Sequence, residues 1–104
     1  MTFQEIISKA VAVRKKFAQF ETAKYGREWT KEELVHGFVG DVGDLSKLVQ
    51  AKNGVRAIEN VDEKLQHELA DCLWSVIAIA DAYDIDLEKS FTQTMKMLEE
   101  KLEQ

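Results

Sequence analysis

Apolar residues recur at intervals of three and four along most of the chain, the period of an α-helix. In the first stretch they are Ile6, Ala10, Val13, Phe17 and Phe20, and Thr2-Phe-Gln-Glu5 ahead of them has the form of a capping box. The pattern predicts a helix from there to about Tyr25. Thr30-Lys-Glu-Glu33 is a second capping box, and the helix it opens meets a C-terminal stop at Asn53-Gly54. Asn60-Val-Asp-Glu63 reads as a third box, leading into a segment that ends near Tyr83. Asp86 caps a fourth segment, whose apolar positions are Leu87, Phe91, Met95 and Leu98. No stretch alternates apolar and polar residues far enough to make a strand. The connections are short, so neighbouring helices should pack antiparallel. The expectation is one all-α domain over residues 1–104, a four-helix antiparallel bundle.

The third segment departs from simple amphipathicity. Around Leu69-Ala70, Cys72-Leu73-Trp74 and Val76 to Ala80, apolar residues cover nearly every direction of the helix. A helix that is apolar all round is normally buried all round, and three neighbours of this size hardly surround it. A homo-oligomer, dimer or tetramer, is therefore expected, with this helix near the interface.

Composition narrows the chemistry. The chain carries 14 Lys+Arg against 19 Asp+Glu, a net charge of −5, with 45% apolar residues and no proline. The apolar fraction supports a core, so disorder is not expected. An acidic chain lacks the Lys/Arg stripes that a nucleic-acid polymer demands. The run from Cys72 to Ala80 is far shorter than the roughly 20 residues of a membrane span. One cysteine makes neither an internal disulfide nor a Cys-based zinc site. Together with the lack of a leader-like N-terminus, this makes the expected setting the cytoplasm.

Two acidic motifs stand out. Asp41-Val-Gly-Asp44-Leu45 lies in the second helix and Glu68-Leu-Ala-Asp71-Cys-Leu73 in the third. Acids three apart share a helix face, with Cβ atoms about 5–6 Å apart, and antiparallel packing can bring both pairs together. Glu68 and Asp71 sit among apolar neighbours, where ionised groups are costly unless paired or metal-bound. Gly37, Gly40 and Gly43 recur inside the second helix, each costing about 1 kcal/mol relative to alanine. Close approach of another helix or a ligand beside the acids is the expected compensation. The competing reading is ordinary surface charge or a structural polar layer. If the four carboxylates converge, oxygen-only ligation selects a hard cation, Mg²⁺ first and Mn²⁺ as its substitute. Such a site lets a protein of net negative charge hold a polyphosphate.

These motifs resemble those of the MazG-like all-α nucleoside triphosphate pyrophosphohydrolases: an acid-x-x-acid pair, a spacer of 23 residues between Asp44 and Glu68, then Glu-x-x-Asp. The likeness runs from about Thr30 to Leu102 and includes Ile85-Asp-Leu-Glu at the start of the last helix. It implies Mg²⁺-dependent hydrolysis of a nucleoside triphosphate between the α- and β-phosphates, giving a monophosphate and pyrophosphate. Carried over by position, Asp41, Asp44, Glu68 and Asp71 are the implied metal ligands and catalytic residues. Both acids of the first pair are Asp where Glu is commoner. Gly40 stands where many relatives carry a further acid, as in the branch resembling deoxycytidine triphosphate pyrophosphatases. The basic tail of some relatives is missing, with Lys96 and Lys101 the nearest substitutes. A non-catalytic nucleotide or metal sensor and a helical interaction module are the alternative functions.

Other residues carry weaker expectations. Tyr25 and Trp29 precede the second helix and are candidates to stack on a nucleobase, against a role as a staple over the helix start. Lys47, Lys52 and Arg56 are candidate phosphate contacts, against plain solvated charge. Trp74 is expected in the core or an interface, and Cys72 as a small buried residue. His67 lacks the pattern of a phosphotransfer histidine, and neither His36 nor His67 follows a glutamate by three, as a di-iron bundle requires.

Overall fold

A computed structural model describes residues 1–103. Four helices make up the chain, α1 (Phe3–Tyr25), α2 (Lys31–Lys52), α3 (Val61–Ala82) and α4 (Leu87–Leu102), with no strand among the described residues. The first two begin as the sequence predicts. Thr2 and Thr30 each accept from the backbone N–H three residues on, and Glu5 and Glu33 reach back to complete both boxes. Asp86 accepts from the Lys89 N–H to cap α4. Asn60 does not cap α3 with its side chain: its backbone is left-handed, at φ 55°, and makes no side-chain cap bond. That turn is closed by backbone geometry instead. Gly26 ends α1 at φ 82°, a conformation that costs glycine nothing.

Helices α2 and α3 form an antiparallel hairpin. Ser75 bonds Asp41, and Lys52 pairs with Asp62, so partners on one helix fall in number as those on the other rise. Helix α1 crosses onto α3, fixed by Trp74: its Nε1–H donates to the Ala10 carbonyl at 3.0 Å and its ring meets Phe17 at 5.4 Å between centroids. Helix α4 lies along none of the others; a Gln4–Glu88 hydrogen bond ties only its first turn to the start of α1.

The expected close bundle of four is therefore a three-helix body with a projecting fourth helix. The buried apolar residues are Leu48, Ile77, Ala78 and Ala80. Leu69 and Leu73 on α3 are half-exposed, as are Phe91, Met97 and Leu98 on α4. The radius of gyration is 16.6 Å, against about 13 Å for a compact domain of this length. The chain exposes 7945 Å², whereas a compact 11.9 kDa monomer exposes about 5,900 Å². The all-round burial expected of α3 is thus not achieved within one chain. No helix of the described residues is long and apolar enough to cross a membrane.

The glycine ladder resolves unequally. A Cβ on Gly37 would lie 2.8 Å from the Trp29 ring, while one on Gly40 or Gly43 would meet nothing within 4 Å. Close approach within the chain thus accounts for Gly37 and not for the other two.

Two substitutions calibrate this picture by urea denaturation. Ile77, 2% exposed, should lose about 2–5 kcal/mol as Ile77→Ala. Gly40→Ala should gain up to about 1 kcal/mol, because the added methyl meets open space.

Candidate metal centre

The hairpin sets Asp41 and Asp44 of α2 opposite Glu68 of α3. One carboxylate oxygen from each lies within 4.8 Å of the others, close enough for a single ion to bridge them. Glu68 is the most enclosed of the three, at 9% exposure. Its Oε1 is buried and finds no hydrogen-bond partner. Burial pushes the Glu68 carboxyl above its ordinary range, and the charges of Asp41, Asp71 and Asp44 push it further the same way. Asp41 is steadied from α3 by the Ser75 hydroxyl, which donates to its Oδ2 at 3.0 Å.

An orphaned, buried acidic oxygen facing two more carboxylates is a poor structural polar layer, because none of its members supplies a donor to the others when ionised. A divalent cation fits the donor set: three hard oxygens, with Asp44 exposed enough to leave room for waters or phosphate oxygens. Asp71, the fourth acid of the motifs, is not in this trio. It lies one helical turn before Ser75, and its Oδ2 is 3.1 Å from His67 Nε2.

Two hollows flank the acids. On one side is a cavity of about 300 Å³, where Asp41, Asp71 and Ser75 face Phe17, Trp29 and Trp74. Arg14, Glu21, Leu34, Gly37 and Ala78 complete its lining. On the other side Asp44 and Glu68 open into a shallow groove that also carries Lys47, Lys64 and His67.

The sequence candidates sort against this geometry. Trp29 lines the aromatic cavity and Lys47 the groove. Tyr25 lines neither hollow and lies exposed beneath Lys24, whose Nζ is 5.3 Å from its ring centroid. Arg56 is exposed in the turn after α2 and also lines neither. Lys52 pairs with Asp62. Trp74, expected in the core or an interface, also shows a face to the cavity. Cys72 is part-buried, and desolvation with the nearby carboxylates raises its pKa, so it stays a thiol.

Arg14 and Glu21 were absent from the sequence candidates. Arg14 grips Glu21 through both terminal nitrogens, at 2.8 and 2.9 Å, and Glu21 Oε1 also accepts from the Trp29 backbone N–H at 2.9 Å. The Arg14 hydrogen bonds hold the Glu21 carboxyl below its usual range against the effect of burial. The two residues are seven apart, on one face of α1, and an acid–base pair at that spacing is too common to flag a cavity wall. Beyond Trp29 the chain is pinned again: Arg27 and the Thr30 backbone N–H hold the Glu33 carboxyl at a pKa of about 2.

Raising the Glu68 pKa has a sign that can be read. The folded, metal-free protein holds this proton more tightly than the unfolded chain, so the group favours folding below its unfolded value of about 4.3. That contribution is lost as pH rises through the folded value. Metal-free protein should thus lose stability as pH climbs toward neutral, with added Mg²⁺ opposing the loss. Glu68→Gln should flatten both the pH trend and the response to Mg²⁺ in thermal unfolding. An equal Mg²⁺ response in the variant would remove Glu68 from the centre.

The sequence profile of the MazG nucleotide pyrophosphohydrolase domain matches residues 29–104. That span begins at Trp29 and contains both acidic motifs. No curated protein and no solved structure matches the chain. A profile that covers most of the chain and holds every member of the carboxylate trio shows the family: the chain belongs to the MazG nucleotide pyrophosphohydrolase domain family, whose activity is hydrolytic.

Proposed function

We propose that the protein hydrolyses a nucleoside triphosphate (NTP or dNTP) at the α–β bond, yielding a monophosphate and pyrophosphate, with Mg²⁺ as its cofactor and Mn²⁺ as substitute. The observation that carries this reading is the Glu68 carboxylate, buried with one oxygen unpaired and grouped with those of Asp41 and Asp44, within a chain of this family. Asp41, Asp44 and Glu68 hold the metal. Bound there, it supplies Lewis-acid polarisation of the phosphoryl oxygens and a water of lowered pKa. Ser75 keeps Asp41 oriented.

Asp71 stands beside the trio with its carboxylate engaged only by the exposed His67. In this reading Asp71 accepts the proton of the attacking water, the role for which Gly40 offers no side chain. The flanking hollows set the direction of the substrate. The base enters the aromatic cavity against Trp29, and the leaving pyrophosphate runs along the groove past Lys47 and Lys64.

The working form in this reading is a homo-oligomer, at least a dimer. The chain exposes about 2,000 Å² more than a compact monomer of its mass, and obligate dimers bury about 2,000–5,000 Å² in total. The half-exposed Leu69 and Leu73 of α3 and the Phe91–Leu98 stripe of α4 are the surfaces this assembly would cover.

Product-resolved incubation with an NTP and dNTP panel plus Mg²⁺ tests the chemistry. Monophosphate and pyrophosphate should appear together, whereas orthophosphate and diphosphate would refute α–β cleavage. Asp71→Asn should lower kcat by about 10²–10⁴-fold with the unfolding midpoint little changed. Nucleotide binding without turnover across the panel would favour a sensor.

Sedimentation tests the assembly. Wild type should sediment as a dimer or larger, and Phe91→Asp with Leu98→Asp should shift it toward monomer.

A further inference from the structure

Two features hold Trp29 in place, and each does more than stabilise the fold. The first is the Arg14–Glu21 pair. A buried ion pair is no better for stability than a well-packed apolar pair of the same volume. What this one adds is position: Glu21 Oε1 takes the Trp29 backbone N–H at 2.9 Å while both Arg14 nitrogens fix the carboxylate. The connection between α1 and α2 is thereby tied to α1 at the residue that carries the ring. The second feature is Gly37. It weakens the middle of α2, and any Cβ there would come within 2.8 Å of Trp29 Cζ3. Only glycine lets the ring lie against the helix, one turn before Asp41.

A ring seated this way as a core anchor would be buried. Trp29 is 44% exposed and forms a wall of the 300 Å³ cavity that Asp41 and Asp71 enter. The fold accepts a helix-weakening glycine and a buried charge to present an indole face to a space that ends at the carboxylates.

Resting on the function proposed above, we infer that Gly37 and Glu21 are positioning residues for substrate selection: they set the Trp29 ring as the stacking wall for the nucleobase, so that affinity for a nucleotide over bare polyphosphate depends on them. They act through Trp29 and leave the metal centre untouched.

Calorimetry with Mg²⁺ tests this on the full chain, comparing α,β-methylene nucleoside triphosphates with inorganic tripolyphosphate, which has no base. Wild type should bind the nucleotide more tightly. Gly37→Ala should weaken nucleotide binding about ten- to a hundredfold, the range conferred by one base–aromatic stack, with the tripolyphosphate Kd unchanged. In turnover the same variant should raise KM and spare kcat. Its urea midpoint should change little, because the helix propensity gained by alanine offsets the cost of moving the half-exposed ring, which separates lost positioning from lost folding. Glu21→Gln should move in the same direction, Trp29→Leu should match Gly37→Ala, and Trp29→Phe should restore most of the preference.

Nucleotide binding by Gly37→Ala and Trp29→Leu at the wild-type Kd would overturn the inference, as would equal losses for nucleotide and tripolyphosphate. Wild type that binds the two ligands equally would overturn it alone, leaving the metal centre standing. Wild type that binds neither would overturn the proposed function and this inference together.

Discussion

The constraint on which the structure turns is the approach of three carboxylates across the α2–α3 hairpin. Left to themselves, Asp41, Asp44 and Glu68 repel, and Glu68 adds the penalty of burial with one oxygen unpaired. The chain answers part of this: the Ser75 hydroxyl steadies Asp41, and Glu68 keeps its proton to higher pH. Neither device satisfies the orphaned oxygen. A divalent ion would do so while cancelling the repulsion, and the stability of the hairpin and the occupancy of the centre would then be one linked equilibrium. Leu48 on α2 and Ile77 on α3 are among the few apolar residues this body buries.

The rest of the molecule is under-buried for its size, and the shortfall is localised. Helix α1 is bolted to α3 by Trp74, which satisfies its indole N–H on Ala10 and its ring on Phe17. Helix α4 has a well-defined apolar stripe but is attached only at its root. Its apolar residues Phe91, Met97 and Leu98 stay half-exposed, and no described helix packs along it. Leu69 and Leu73 of α3 are likewise half-exposed.

Much of this was legible in the sequence because it is local. Capping boxes at Thr2 and Thr30 are spelled out within four residues, and the helical period carries each element to its end. The acid spacing pointed to four converging carboxylates, and three of them, Asp41, Asp44 and Glu68, lie together. Asp71 follows Glu68 by three, yet it turns toward His67 and the aromatic cavity, a difference of side-chain direction that spacing does not encode. Asn60 had the composition of a cap and the backbone of a left-handed turn. Tyr25 and Trp29 looked alike as aromatics before a helix; what separates them is the Glu21 bond to the Trp29 backbone, a contact between elements. The glycine ladder was one pattern in the sequence and two situations in space, because only Gly37 has a ring above it.

That last distinction bears on how substrate selection and catalysis divide along α2. Gly37 and Asp41 are one turn apart on the same face, and Asp44 is a further turn on, so a single helix carries the ring's seat, the acid shared with the cavity and the acid shared with the groove. A ligand that spans the two hollows must cross the carboxylates between them. On the proposed function, the distance from the Trp29 wall to the trio and the Lys47 and Lys64 side chains along the groove would together set which bond meets the metal. If the base stacks on Trp29 as proposed, the site would measure its substrate from the base end, and a glycine with no chemistry of its own, four residues from Asp41, would help govern which triphosphates are taken.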